Sequence, residues 1–261
     1  MNRVEQIARL EQENIDLKTE LGLLRQDQEA GYLVQQRLLP INGACQLGLQ
    51  LHYWMKPSLY LSGDFIDFWP LDERRVMFYL ADVSGHGASS AFVTILLKYL
   101  INRYALEDQA SPARLCARIN RELIQSGLEK HMTLVLGCLD TTEGQLTYTN
   151  AAHLPPPYLL TNGQGLPLAG RDQPVGLFPD AEYHEHLCPW TPESRLCLAT
   201  DGILEVLPGK GLEARQEEWF RRIEQAKGDF GALLDALPGT TQDWPDDVTL
   251  MTVSAQPNAN R

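Results

Sequence analysis

The chain has 261 residues, 44% apolar and 21% charged, a globular composition that excludes disorder along its whole length. Its 22 Lys and Arg against 34 Asp and Glu leave a net charge of −12, which argues against nucleic acid or an anionic membrane as the main partner. The longest strongly apolar stretch, 91–101, is broken by Lys98 and falls far short of the ~20 residues of a bilayer span, and no signal-peptide core opens the chain. Five cysteines, odd in number and without a C-x-x-C pair, read as reduced thiols of a cytoplasmic protein.

In chain order, the first element is a long helix over 3–39. Residues 2–39 contain no proline, and Ile7, Leu10, Leu17, Leu21 and Leu24 recur at a 3-4 spacing in which Asn14 fills the remaining position. With Ile7, Asn14 and Leu21 at a, and Leu10, Leu17 and Leu24 at d, Glu13 and Glu20 face Lys18 and Arg25 of a parallel partner. One Asn at a with complementary g/e charges specifies a two-stranded parallel coil, so residues 1–40 are read as a dimerising stem. The alternative is one amphipathic helix packed on its own domain. Pro40 stops the helix.

Residues 41–254 form the second unit. Leu47, Leu49, Leu51 and Tyr53 alternate as a half-buried strand, and 76–83 is apolar enough for a central one. Helices follow over 88–104 and from a Ser111–Pro112 start to about 125. Strands at 133–139 and 145–149 flank a turn at 140–144. Residues 154–157 and the Gly-rich 163–176 read as loops, 195–200 as a buried strand, 213–227 as a helix and 248–253 as a closing strand. Residues 255–261 read as a flexible tail.

Four acidic positions sit at strand ends or turns: Asp64 in Ser62-Gly-Asp-Phe65, Asp82 in Ala81-Asp-Val-Ser-Gly-His-Gly87, Asp201 in Ala199-Thr-Asp-Gly202, and Asp246 in Pro245-Asp-Asp-Val-Thr249. Each alone is ordinary turn chemistry. As a set they offer converging hard oxygen ligands, suited to magnesium or manganese rather than zinc. Two such ions about 4 Å apart can hold a bridging water and clamp a phosphoryl group against it.

These segments, with Gly63-Asp-Phe-Ile-Asp-Phe68, Asn150-Ala-Ala-His-Leu-Pro-Pro-Pro157 and Ala199-Thr-Asp-Gly-Ile-Leu-Glu205, resemble in order the motifs of the SpoIIE/RsbU branch of PPM-type (type 2C-like) serine/threonine phosphatases. Val34-Gln-Gln-Arg-Leu-Leu-Pro40 resembles the helix leading into that domain. The resemblance covers about residues 30–253. It implies an α/β/β/α sandwich of two antiparallel sheets flanked by helices, with two Mn2+ or Mg2+ ions at one edge. It implies that Asp82 bridges both ions, that Asp64 and the Val83 carbonyl hold one, and that Asp201 and Asp246 hold the other. Asp247 is read as supporting these ligands. Ser62 and Ala152 stand where the family usually has glycine. The resemblance further implies a protein of a bacterial signalling pathway, such as a response regulator. Its expected substrate is a phosphoserine or phosphothreonine protein, such as a STAS-domain anti-sigma-factor antagonist. The alternative is a regulatory module of the same fold that docks a phosphoprotein without turning it over.

Other chemistries fit less well. Gly85-His-Gly-Ala-Ser-Ser90 imitates a dinucleotide fingerprint but has serine at its third glycine. Gly209-Lys210 lacks the rest of a phosphate-binding loop, and Cys116 and Arg121 are one residue too close for a cysteine phosphatase. His184 and His186 alternate on an expected strand, where they read as half-exposed residues rather than a metal pair. His86 and His153 are left between a place near the site and a purely local turn role.

Overall fold

The structure, a computed structural model, describes residues 3–107, 110–237 and 244–256. In chain order its elements are α1 (Arg3–Leu38), β1 (Cys45–Gln46), β2 (Leu49–Lys56), β3 (Asp64–Pro70), β4 (Arg75–Val83), α2 (Ala88–Tyr104), α3 (Pro112–Ser126), β5 (Met132–Asp140) and β6 (Gln145–Ala151). They continue with β7 (Tyr158–Thr161), β8 (Gln164–Pro167), β9 (His186–Pro189), β10 (Arg195–Ala199), α4 (Gly202–Val206), α5 (Leu212–Gln225), α6 (Phe230–Asp235) and β11 (Val248–Ala255).

The strands form two antiparallel sheets, ordered β1-β2-β11-β10-β7-β8 and β3-β4-β5-β6-β9. Period-two alternation sorts their side chains into layers. Leu196 and Leu198 of β10, with Met251 and Val253 of β11, join the main core between the sheets and under α2 and α3. Cys197, Ala199, Val248 and Leu250 point the other way, to a second core beneath α5 and α6 with Trp219 and Leu233. This is the expected α/β/β/α sandwich. Strand β4 is covered on both faces, so Val76, Met77, Phe78, Tyr79, Leu80 and Ala81 are all buried.

Local chemistry explains the helix and turn boundaries. Ser111 Oγ accepts from Arg114 N at 3.2 Å to cap α3, with Pro112 in its first turn and Gly127 left-handed at its end. Asp140 Oδ1 accepts from Thr142 N and Glu143 N, closing the β5–β6 hairpin.

Three expectations are corrected. Strand β2 begins at Leu49, because Leu47 and Gly48 have positive φ (51° and 78°) and turn the chain from β1. Within the stretch read as a loop over 163–176, residues 164–167 form β8, paired with β7 across Asn162–Gly163. Both turn residues have positive φ (52° and 76°), as a two-residue hairpin loop requires. Strand β11 continues through Ala255, and Gln256 N donates to the Gly48 carbonyl at 2.7 Å. The remainder of the expected tail, 257–261, lies outside the described residues. No described helix is long and apolar enough to cross a membrane.

Helix α1 meets the domain only near its C-terminal end. From Arg3 to Asp27 every described side chain is exposed, whereas Gln35 and Leu39 are buried.

Candidate active site

Asp64 opens β3 and lies opposite Asp82 on β4, which in turn lies opposite Thr133 on β5. Asp201 occupies the turn between β10 and α4, and Asp246 precedes β11. Asp82, Asp201 and Asp246 thus reach one edge of the sandwich from three strand ends. They line a cleft of 320 Å³ with Ser84, Gly85, His86, His131, Met132 and Thr133, and no lysine or arginine is among its described lining residues.

Asp64 is brought near this group but not to the cleft wall. It is 1% exposed, and its Oδ2 accepts from the hydroxyls of Thr200 and Thr249, both at 2.7 Å. Asp247 accepts from Ser58 N, Ser58 Oγ and Gly63 N at 2.7, 2.9 and 2.7 Å, so its carboxylate fixes the 58–63 loop. Val83 N donates to the Gly63 carbonyl. A Cβ on Gly63 would come 2.8 Å from the Val83 carbonyl oxygen and 3.0 Å from that of Gly85, so glycine is required where these carbonyls converge. A Cβ on Gly202 would come 2.1 Å from the Asp247 carbonyl oxygen, which fixes glycine after Asp201.

The two departures from the motifs are accommodated locally. Ser62 Oγ accepts from Asp64 N at 3.0 Å. Ala152 has φ 58°, a conformation that costs an L-residue about 1 kcal/mol relative to glycine. His184 and His186 do not pair: His184 donates its backbone N–H to Asp172, with its ring against the same carboxylate, while His186 stacks on Tyr148. His86 is exposed at the cleft. His131, Met132 and Thr133 escaped the sequence reading, and only the β4–β5 pairing brings them to the site.

Electrostatically the cleft is strained. Burial, then the charges of Asp201, Asp246 and Asp247, push the Asp82 carboxyl up to about 7. Burial and then Asp82 hold Asp64 well above the usual carboxylate range, against the two threonine hydroxyls. Burial and Asp246 also raise Asp201. Among the described residues, no three His, Cys, Asp or Glu already stand in ligating geometry. The donor set nevertheless fits a hard divalent cation in kind and charge: it offers oxygen donors, and its carboxylates repel one another until a cation neutralises them.

A stability effect follows from Asp82. Its carboxyl has a folded pKa of about 7 against 3.8 ordinarily, so its contribution is fully present below about pH 4 and is lost as pH rises through about 7. The melting temperature of the metal-free protein is expected to fall by several degrees between about pH 5 and pH 8. Asp82→Asn is expected to flatten that slope, and manganese to restore the loss at the upper end. A melting curve indifferent to both pH and manganese would contradict this electrostatic picture.

Two facing antiparallel sheets between helix layers, with an aspartate cleft at one edge, define a PPM-type phosphatase domain. The family model for Stage II sporulation protein E (SpoIIE) matches residues 72–256, and the chain belongs to that family. It is 30% identical over 162 residues to phosphoserine phosphatase RsbP of Bacillus subtilis, a match covering 60% of this chain and 40% of RsbP. The chain therefore spans well under half the length of that relative. Among solved structures, the SiaA-PP2C domain of Pseudomonas aeruginosa superimposes with a TM-score of 0.71 at 20% identity, covering 90% of this chain and 97% of that one. RsbX in complex with magnesium superimposes with a TM-score of 0.63 at 17% identity, covering 80% and 96%.

Proposed function

We propose that the chain is a metal-dependent protein serine/threonine phosphatase of a bacterial signalling pathway, acting on phosphoserine or phosphothreonine in a protein partner. The observation that carries this reading is the convergence of Asp82, Asp201 and Asp246 on one cleft, with no lysine or arginine among its described lining residues. A phosphate dianion would be repelled from such a cleft unless cations occupied it. Asp82, Asp201, Asp246 and the Val83 carbonyl would hold two Mn2+ or Mg2+ ions, with Asp64 in support or as a further ligand. Bound there, the ions supply an activated water and neutralise phosphoryl charge.

The chain's own residues set the geometry. Thr200 and Thr249 fix the Asp64 carboxylate. Lys130 Nζ donates to the Ser84 carbonyl at 2.8 Å and so pins the backbone just after Val83. Asp247 holds Gly63 against that same backbone. Together they hold the backbone at Gly63 closely against that of 83–85, beside Asp64 and Asp82.

The likeness to RsbP, a phosphoserine phosphatase, supports phosphoserine as the substrate group, and the motif resemblance supports a STAS-domain anti-sigma-factor antagonist as the protein that carries it. The exposed seam of Ile7, Leu10, Leu17, Leu21 and Leu24, exposed by 47–64%, supports a homodimer through α1. Five free cysteines support a cytoplasmic location.

Manganese-dependent phosphate release from a phosphoserine protein tests the proposal. Release is expected to need the metal and to exceed that from phosphotyrosine peptides by at least about tenfold. A preference for phosphotyrosine or for nucleotides would sink it.

A further inference from the structure

His153 belongs to the Asn150–Pro157 motif and takes no part in the proposed metal chemistry. It is 1% exposed, and its two ring nitrogens reach one strand of each sheet, β10 and β5. Nε2 lies 3.0 Å from the carbonyl oxygen of Ala199, at the end of β10 and two residues before Asp201. Nδ1 lies 2.9 Å from Thr133 Oγ1, and Thr133 is a cleft-lining residue and the cross-strand partner of Asp82. Its backbone is held by Asn150, whose Oδ1 accepts from His153 N at 2.8 Å.

The partners dictate where the protons sit. A carbonyl oxygen only accepts, so Nε2 carries a hydrogen. Burial holds the ring's pKa down to about 4, so a second proton is absent at neutral pH and Nδ1 is a bare acceptor. The Thr133 hydroxyl must then donate to Nδ1. With its proton committed, Thr133 Oγ1 presents only lone pairs to the cleft.

We propose that His153 is a positioning residue: it ties β5 to the turn bearing Asp201 and fixes Thr133 Oγ1 as a hydrogen-bond acceptor in the cleft beside Asp82. The inference rests on the phosphatase reading of that cleft. An acceptor there suits the hydrogen of an attacking water. A phosphoryl oxygen is itself an acceptor and gains nothing from it. Thr133 therefore contributes to turnover and not to substrate binding.

Two measurements on the full chain test this. Nitrogen-15 spectroscopy at pH 7 is expected to show His153 as the neutral tautomer protonated on Nε2; an Nδ1-protonated ring or an imidazolium would overturn the bridge. In manganese-saturated kinetics on a phosphoserine protein, Thr133→Val is expected to lower kcat about tenfold. Its KM, and its manganese affinity by calorimetry, are expected to stay within about twofold of wild type. Thr133→Ser, which keeps the hydroxyl, recovers most of the loss. His153→Gln, which offers both a donor and an acceptor, is expected to exceed His153→Leu in kcat. Wild-type kcat in Thr133→Val, or a change confined to KM, would overturn the acceptor role. If manganese-loaded wild type releases no phosphate, the phosphatase reading falls, and the ring tautomer alone then decides the bridge.

Discussion

Asp82→Asn is expected to lower phosphate release at saturating manganese by at least about 10³-fold while leaving the fold intact. Asp82 lies opposite Asp64 across the β3–β4 pair and lines the cleft with Asp201 and Asp246, whose charges, after burial, raise its carboxyl. Replacing it removes the charge that both ions would share. The same change relieves repulsion in the metal-free protein, so the variant is expected to melt no lower than wild type without manganese and to gain less from added metal. Phosphate release together with thermal melts, with and without manganese, separates loss of the site from loss of the fold. Turnover comparable to wild type would remove the two-metal assignment. Cys116→Ser serves as the contrast. Cys116 is fully buried on α3 and burial pushes its thiol up, so it is no nucleophile, and its loss is expected to leave phosphate release unchanged.

The sequence carried the fold wherever local chemistry and burial agree. Helix α2 was legible at both ends, because Gly85 and Gly87, with φ of 78° and 80°, supply the sharp turn that precedes it and Arg103–Tyr104 close its apolar run. The α3 cap and the Asp140–Gly144 hairpin were legible for the same reason: a side chain next in sequence satisfies the backbone there. Strand β8 was not, and β9 only in part: Gln164-Gly-Leu-Pro has little β pattern of its own and is made a strand by β7, while the strand expected to carry both His184 and His186 begins only at His186, where it pairs with β6. The Asn162–Gly163 turn was the available signal for the first of them.

The four aspartates were legible as a set, but not their depths. Asp64 lies beneath Thr200 and Thr249, whose hydroxyls meet only because β10 and β11 pair with Ala199 opposite Leu250. Likewise, no spacing in the chain announces that His153 faces Thr133. That contact arises from the antiparallel return of β6 along β5, which brings the end of β6 back to the level of Leu134.

Charging the stem is expected to change catalysis without touching a ligand. Helix α1 spans 36 residues, about 54 Å at 1.5 Å per residue, and its apolar seam is exposed along the outer part. Its inner end is joined to the site through Gln35, which is 1% exposed. Gln35 Nε2 donates to the Ser62 carbonyl at 2.8 Å, and Gln35 Oε1 accepts from Ser62 N at 3.1 Å. Ser62 Oγ in turn receives Asp64 N, and the next residue, Gly63, is held by Asp247. A rotation of the stem therefore acts first on the backbone that presents Asp64. Placing Lys at Leu10, Leu17 and Leu24 puts three charges into the d seam and is expected to give a monomer by light scattering. The monomer's phosphate release is then expected to differ from the dimer's at equal manganese, and Gln35→Leu, which severs the link while keeping the seam, is expected to make release insensitive to the seam charges. A chain that stays dimeric would refute the coil. A monomer with unchanged kinetics would leave the coil standing and remove the coupling, because among the described residues of α1 only Gln35 holds the Ser62 backbone by both its donor and its acceptor.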